Sequence, residues 1–239
     1  MTLERMPGPM APEPAPPAIG DGSGGSPVAL RLQVLANEHW GLLATRSLVW
    51  NESFTRAGMF LTTLTGSIVA LALVAQATAF GEDFSLFALV VLAVVLFIGL
   101  ATYSRLGAAN YHDALCVVGM NRIRHAYLEI APEVEPYLVM GAYDDEASIN
   151  QSMGARPNVN QLVYIMASSP FVVATINAVL GGVIAVLIAQ RLGVDTAVAI
   201  VMTLAAAAFV FALQIVAAMR DIAQTVATYT PKFPAAGSE

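Results

Sequence analysis

The sequence predicts an all-α membrane protein, with four transmembrane helices in two hairpins and a cytoplasmic antiparallel helical stalk. Three observations support this fold class. The chain is 57% hydrophobic and only 12% charged, whereas soluble globular domains carry about 25% charged residues. Four apolar runs are each long enough to cross a hydrocarbon core, which takes roughly 20 helical residues. The basic residues are concentrated on one side of these runs, as in proteins oriented by the positive-inside rule.

The N-terminal region, residues 1–27, is rich in proline and glycine and holds seven of the 13 prolines in the chain. A segment of this composition cannot bury enough apolar surface to form a core, so we expect a disordered arm. The region has no apolar stretch of the kind found in secretory signals. It is therefore not expected to be a cleavable signal peptide.

The four apolar runs contain no Asp, Glu, Lys, Arg or His. Because lipid offers no hydrogen-bond partners to the backbone, each run is predicted to be a helix. Short polar turns, Gly81–Asp83 and Arg191–Asp195, join the runs in pairs and so predict two hairpins. The predicted spans are residues 57–80, 84–104, 170–190 and 196–219. Residues 132–169 form a connector between the hairpins, and residues 220–239 form a tail.

The orientation follows from the 11 basic residues. Ten of them precede the first span, lie between the second and third spans, or follow the fourth, and only Arg191 lies on the opposite side. We therefore expect both termini to be cytoplasmic. Arg far outnumbers Lys and Ala is abundant, a composition typical of GC-rich bacterial genes, so we expect a multi-pass protein of a bacterial cytoplasmic membrane.

Helical extensions are predicted on both sides of the first hairpin, so that residues 28–131 form one unit. Leu35, Leu42 and Val49 recur every seven residues before the first span, and a second periodic segment follows the second span as far as Pro132, which ends it. The two extensions have similar lengths, which favours an antiparallel coiled coil. Facing positions then sum to about 160–164. In that register Arg31 faces Glu129, Glu38 faces Arg122 or Arg124, and Arg46 faces Asp113.

An acidic cluster, Asp144, Asp145 and Glu146, lies in the connector. Oxygen ligands suit Ca²⁺ or Mg²⁺, so one hypothesis is a divalent-cation site. The ligand spacing of a known calcium loop is missing. The competing and favoured hypothesis is a solvated turn or the start of a helix.

Catalytic chemistry is not expected. His39, His112 and His125 are the only histidines, and all fall on the predicted stalk. His112 and Cys116 are one helical turn apart, which allows a Cys–His pair, but a small buried Cys beside a surface His is the favoured interpretation. No metal-ligand spacing or phosphate loop is present, so no cofactor or metal is expected. The net charge of −6 argues against a nucleic-acid partner.

The polar residues inside the spans are all neutral, and two groups of residues are candidates for function. Gly58, Thr62, Thr65 and Gly66 share one face of the first span, either to line a pore in an oligomer or to allow close helix packing. Asn177 lies in the third span, either as an interhelical hydrogen-bonding group or as a permeation contact.

Two segments carry a family resemblance, LATRSLVWNESFTRAGMF (residues 43–60) and GMNRIRHAYLEIAPE (residues 119–133). They resemble a group of uncharacterised bacterial four-span membrane proteins, and the similarity covers residues 35 to about 220. The first half also resembles, more distantly, the SLATT-type two-span domains, which are proposed pore-forming effectors in nucleotide-triggered bacterial defence. This chain departs from them in having a second hairpin and no sensor domain.

The specific functional prediction is an oligomeric pore or channel-like assembly. A single four-span chain with neutral spans makes a poor channel alone, so the pore requires a homo-oligomer in the lipid bilayer. The alternative is a non-transporting membrane scaffold or interaction protein. In that case the stalk and the proline-rich arm would bind a cytoplasmic protein partner.

Overall fold

A computed structural model describes residues 26–154 and 165–236, and within these stretches the chain is helical without β-strands. The predicted arm up to residue 25, and part of the predicted connector and tail, lie outside the described residues. The helices are α1 (Pro27–Thr78), α2 (Glu82–Ile130), a 3-10 helix (Pro132–Tyr137), α3 (Glu146–Ser152), α4 (Ser169–Arg191) and α5 (Thr196–Thr228).

Four helices, α1, α2, α4 and α5, are long and apolar enough to cross a membrane. This finding confirms the predicted helical fold and its four apolar helices, which could span a membrane. Helices α1 and α2 contain 52 and 49 residues, or roughly 75 Å each at about 1.5 Å per residue. Each apolar span is thus one part of a longer continuous helix. Helix α5 likewise continues past residue 219, where the predicted span ended.

The turn between α1 and α2 lies slightly earlier than predicted. Helix α1 ends at Thr78, and Ala79 and Phe80 both adopt left-handed backbone conformations, with φ of 48° and 59°. The turn is therefore Ala79–Gly81 rather than Gly81–Asp83. Glu82 and Asp83 lie in the first turn of α2, where negative side chains are favoured by the positive end of the helix dipole.

Side-chain caps fix the starts of three long or buried helices. Ser26 accepts a hydrogen bond from the N–H of Ala29 and is followed by Pro27 at the start of α1. Ser168 accepts from Phe171 and precedes Pro170 in the first turn of α4. Asp195 accepts from Ala197 at the start of α5. Proline suits the first turns of α1 and α4 because an N–H group at that position would have no intrahelical partner.

The apolar helices pack in sequence, α1 against α2, α2 against α4, and α4 against α5. At the end of the molecule that holds the two short turns, Arg191 donates to the Ser85 hydroxyl and to the Glu82 carbonyl. The buried core lies mainly between α1, α2 and α4. Its members are Phe60, Leu92, Val95, Leu106, Val173 and Leu180.

Candidate functional site

Charged side chains are concentrated at what we call the polar end, namely residues 27–56 of α1 and 105–130 of α2 together with the elements packed on them. One ion pair with a buried carboxylate joins α1 to α2. Arg46 Nε lies 2.5 Å from Asp113 Oδ1, and the Trp50 indole donates to the same oxygen at 2.9 Å. Asp113 is only 3% exposed. A buried carboxylate must be paired, and these two donors supply its partners between the helices.

Two further ion pairs join the same helices on either side of Asp113. Arg31 lies 2.5 Å from Glu129, and Arg105 lies 3.0 Å from Glu52. The side chains of both pairs are about half exposed. The structure thus brings together two of the three charge matches anticipated from the sequence, Arg31 with Glu129 and Arg46 with Asp113. Partners late in α2 meet partners early in α1, the order expected of antiparallel neighbours.

The third match differs from the expectation. Arg122 Nε donates to Asp144 at 2.8 Å, and Arg124 donates to Asn121 and to the Gly141 carbonyl. Glu38 has no ion-pair partner in the described residues. The register argument considered only two helices, whereas the segment after Ile130 folds back and supplies other acceptors. Asp144 and the Gly141 carbonyl therefore take the arginines that Glu38 was expected to meet.

Two residues of the acidic cluster are buried rather than solvated, since Asp144 is 0% and Asp145 only 6% exposed, whereas Glu146 is exposed. Asp145 does begin a helix: its Oδ1 accepts from Ser148 and caps α3. Burial by itself raises the pKa of Asp144, but hydrogen bonds from the backbone N–H groups of Lys232 and Phe233 and from Arg122 outweigh burial and hold its pKa below the ordinary value. The pKa of Asp145 is also below its ordinary value. Burial raises this pKa, but hydrogen bonds from the Ser148 and Ala235 N–H groups outweigh the burial.

The residues that reach this cluster from the chain end were not anticipated. We call residues 229–236 the C-terminal segment. Its Tyr229 hydroxyl donates to the Asp144 carbonyl at 2.7 Å, and the Phe233 ring lies 4.8 Å from the His125 ring, centroid to centroid. These contacts are non-local and carry no periodic signal. In the sequence, the aromatic residues Tyr229 and Phe233 are the features of the tail that could have indicated these contacts.

A buried polar group also supports α3 from α2. Asn121, which is 0% exposed, donates to the Tyr143 carbonyl and accepts from Ser152. The Ser152 hydroxyl in turn accepts from the Gly141 N–H. Each group has its partner, so the short helix α3 is fixed against α2 although it has only seven residues.

The Cys116 thiol is buried at the α1–α2 seam. Burial first, and then the nearby Asp113 carboxylate, raise its pKa above the ordinary value. His112, one turn earlier, is exposed. A thiol with a raised pKa carries little thiolate and is a poor nucleophile.

Inside the apolar part, two amides from α4 and α5 meet. Asn177 Nδ2 donates to Gln214 Oε1 at 2.9 Å, and both side chains are buried. Gln214 also donates to the Val210 carbonyl, and its own carbonyl accepts from the Tyr103 hydroxyl. Asn177 Oδ1 has no hydrogen-bond partner in the described residues. Of the two roles considered for Asn177, the arrangement corresponds to the interhelical hydrogen bond.

Gln214 was missed by the sequence reasoning, although a signal existed. Two adjacent helices joined by the short turn after Arg191 place residue 177 opposite residues near 210–214. The same kind of register argument, applied to α4 and α5 with a sum set by their own turn, therefore comes close to the two amides. Gly99 of α2 lies against this pair, because a Cβ atom there would stand 1.9 Å from Asn177 Oδ1.

The candidate pore or packing face, Gly58, Thr62, Thr65 and Gly66, is exposed on the outside of α1. The Thr62 and Thr65 hydroxyls donate to the carbonyls of Gly58 and Leu61 one turn earlier. A Cβ atom added at Gly58 or Gly66 would meet nothing within 4 Å. The chain itself therefore leaves this face open.

Within residues 26–154 and 165–236, no group of three or more His, Cys, Asp or Glu side chains is placed to hold a metal ion. Comparison with family models, with curated proteins and with solved structures finds no match for this chain. The functional argument therefore depends on the chain's own residues.

Proposed function

We propose that the chain is a non-enzymatic subunit of a homo-oligomeric, pore-like assembly in a bacterial cytoplasmic membrane, with both termini cytoplasmic. In this proposal the two helix pairs form hairpins, and the polar ends of α1 and α2 form an antiparallel cytoplasmic stalk. The observation that carries the proposal is an uncharged, exposed face that runs along the whole of α1.

This face, which we call the α1 stripe, follows the alternating three- and four-residue spacing of a coiled-coil seam. Every residue of the stripe is exposed and none is charged. It points away from the seam that α1 makes with α2, since residues such as Arg46 and Ser53 lie on the opposite side of the helix. The stripe consists of Leu30, Val34, Asn37, Gly41, Ala44, Leu48, Asn51, Thr55, Gly58, Thr62, Thr65, Val69, Ala72 and Gln76.

The continuity of the α1 stripe favours a second copy of α1 as its neighbour. A soluble partner would cover only the part before residue 57, and lipid would cover only the part after it. A parallel α1 from another copy crosses the same boundary at the same depth, because all copies insert with one orientation. Gly41 and Gly58 have open space around them, which allows the close helix approach typical of membrane helix pairs.

The burial of the apolar helices agrees with an assembly. Only 6% of the most apolar stretch of α1 is buried within the chain, and the value for α5 is the same, against 39% for α4. Helices α1 and α5 thus keep most of their apolar surface for lipid or for neighbouring copies. With no charge inside the four spans, a pore lined by the stripe would present Thr hydroxyls and backbone rather than ionised groups.

Disulfide cross-linking of membranes tests the proposed contact, with a matched pair of adjacent threonines. Thr62 and Thr63 are both exposed, and both donate their hydroxyl to the carbonyl four residues earlier, but only Thr62 is on the α1 stripe. In a Cys116→Ala background, we expect Thr62→Cys to form oxidised dimers and Thr63→Cys to form several-fold fewer. Equal cross-linking of the two variants, or none, would contradict an α1–α1 contact.

Solute flux separates the pore from an assembly that does not conduct. Protein reconstituted in liposomes should release a small entrapped dye, and Thr62→Leu on the stripe should lower that release more than Thr63→Leu. Cross-linking at Thr62 without any release would leave the assembly standing and reject the pore.

The scaffold is the second candidate function, and the folded elements packed on the polar end favour it. The 3-10 helix, α3 and the C-terminal segment form a folded unit on α2 in which Asp144 and Asp145 are both hydrogen-bonded. Trp40, in the polar part of α1, is 68% exposed. A large exposed aromatic side chain outside the apolar stretch is typical of a protein-binding surface. Loss of a co-purifying cytoplasmic protein on Trp40→Ala, in a chain without flux, would favour this function.

A further inference from the structure

We propose that Asp144 and Asp145 form a peptide-binding site whose ligand is the chain's own C-terminal segment, and that the bound segment latches the end of α5 to α2. The inference is independent of whether the assembly conducts. It concerns a peptide segment recognised through its backbone N–H groups and one aromatic ring.

The recognition chemistry uses the backbone of the segment, which bends at Lys232 and Phe233 so that two successive N–H groups face one carboxylate. The two Asp144 carboxylate oxygens accept from the successive N–H groups of Lys232 and Phe233, at 2.9 and 2.8 Å. The Asp144 N–H donates back to the Phe233 carbonyl at 3.2 Å. One residue on, Asp145 Oδ2 accepts from the Ala235 N–H at 2.9 Å. Charge-assisted bonds of this kind are about twice as strong as neutral ones.

The side chains of the binding site are held in place by elements other than the C-terminal segment. Arg122 of α2 fixes the Asp144 carboxylate, and the N-terminus of α3 fixes Asp145. Phe233 lies against the ring of His125 on α2, and that ring also packs against Tyr143. Only Phe233 contributes a large apolar side chain, so the rest of the affinity must come from the backbone hydrogen bonds.

The segment closes a ring of helices. Helix α5 packs along α4, and α4 packs along α2. The last turns of α5 are almost wholly exposed, so helix packing does not bring the chain end to α2. The C-terminal segment supplies a separate anchor there. A short anchor with few buried apolar contacts can open locally while the helices stay packed, which is the behaviour of a latch.

The position of the only lysine makes the latch measurable. Lys232 is the single lysine in the sequence, so a lysine-specific endoprotease cuts the chain only between Lys232 and Phe233. Both N–H groups flanking this cut are bound to Asp144. We expect the full-length protein in nanodiscs to be cut at least about tenfold more slowly than a synthetic peptide of residues 226–239.

The variants isolate the carboxylate. Asp144→Asn keeps the shape but converts the charge-assisted bonds to weaker ones, and should speed cleavage about tenfold. Asp221→Asn makes the same charge change at an exposed site on α5 and should leave the rate unchanged. Tyr229→Phe removes only the hydroxyl that donates to the Asp144 carbonyl, and should speed cleavage by a smaller factor.

The latch is overturned if the full-length protein is cut as fast as the free peptide. It is also overturned if Asp144→Asn retains native helix content and is cut as slowly as the parent. Should Asp144→Asn lose helix content, Tyr229→Phe decides: cleavage no faster than in the parent rejects the latch.

Discussion

At the scale of single residues, burial separates the ion pairs between α1 and α2. The Asp113 side chain is 4% exposed, and it accepts from both Arg46 and Trp50. Glu129 is about half exposed and faces Arg31 and, more distantly, His125. Water can replace the partners of Glu129 but not those of Asp113. The two carboxylates therefore differ in their contribution to folding although both join the same helices.

We predict that Asp113→Asn lowers the free energy of unfolding by about 1.5–3 kcal/mol, because Arg46 loses a buried ionic acceptor. Glu129→Gln should cost less than about 1 kcal/mol, as for other exposed pairs. Unfolding of the reconstituted protein in mixed micelles, followed by circular dichroism, measures both. Equal costs for the two variants would argue that the Asp113 pair is solvated.

Sequence reasoning could reach the pairs of Arg31 and Arg46 because a helix has a fixed rise, so two matched lengths define a register. It could not reach Arg122, whose acceptor Asp144 lies after an irregular connector without any period. Gln214 could have been reached by the same kind of argument applied to α4 and α5, but the search considered charged residues and its amide is neutral. The partners that were not predicted are those that depend on how the chain folds back after Ile130.

At the scale of helices, a close approach between α2 and α4 depends on one glycine. A Cβ atom at Gly99 would lie 1.9 Å from Asn177 Oδ1 and 2.9 Å from the Phe60 ring. Glycine at this position lets the buried amide of α4 lie directly against the α2 backbone. Gly107, two turns further along α2, has nothing within 4 Å of the same position.

Opposite signs are expected for the same substitution at these two sites. Gly99→Ala should destabilise the packed helices by about 1–3 kcal/mol, because Asn177 and Phe60 must move. Gly107→Ala should be neutral or stabilising by up to about 1 kcal/mol, since alanine is the better helix former. Thermal unfolding in the same detergent compares them. A Gly99→Ala protein as stable as the parent would mean that α4 can shift away from α2 without cost.

At the scale of the whole molecule, the C-terminal segment is the part expected to respond to pH. The groups that face the Asp144 carboxylate are Arg122 from α2, the N–H groups of Lys232 and Phe233, and the neighbouring Asp145. Because the pKa of Asp144 in the folded chain is below its ordinary value of 3.8, ionisation of Asp144 stabilises the docked state. That contribution is complete above pH 3.8 and is lost as the pH falls through the lowered pKa.

A spin label at Ala236→Cys, in the Cys116→Ala background, should report this change. We expect a slow-tumbling spectrum at neutral pH and a mobile one well below pH 3.8, while the variant that also carries Asp144→Asn should be mobile at both. A label that stays immobile at low pH with the helices intact would show that apolar contacts, chiefly those of Phe233, hold the segment without the carboxylate.

The length of α1 has a mechanical consequence. Thr62 lies 16 residues after Arg46 on one uninterrupted helix, a distance of about 24 Å at 1.5 Å per residue. A helix resists twisting along its hydrogen-bonded backbone, so the azimuth of α1 is common to both points. The ion pair between Arg46 and Asp113 therefore fixes the rotation of α1 about its axis, and with it the direction in which Thr62 points. A change of charge at Asp113 would rotate the α1 face that carries Thr62, although Asp113 does not contact that face.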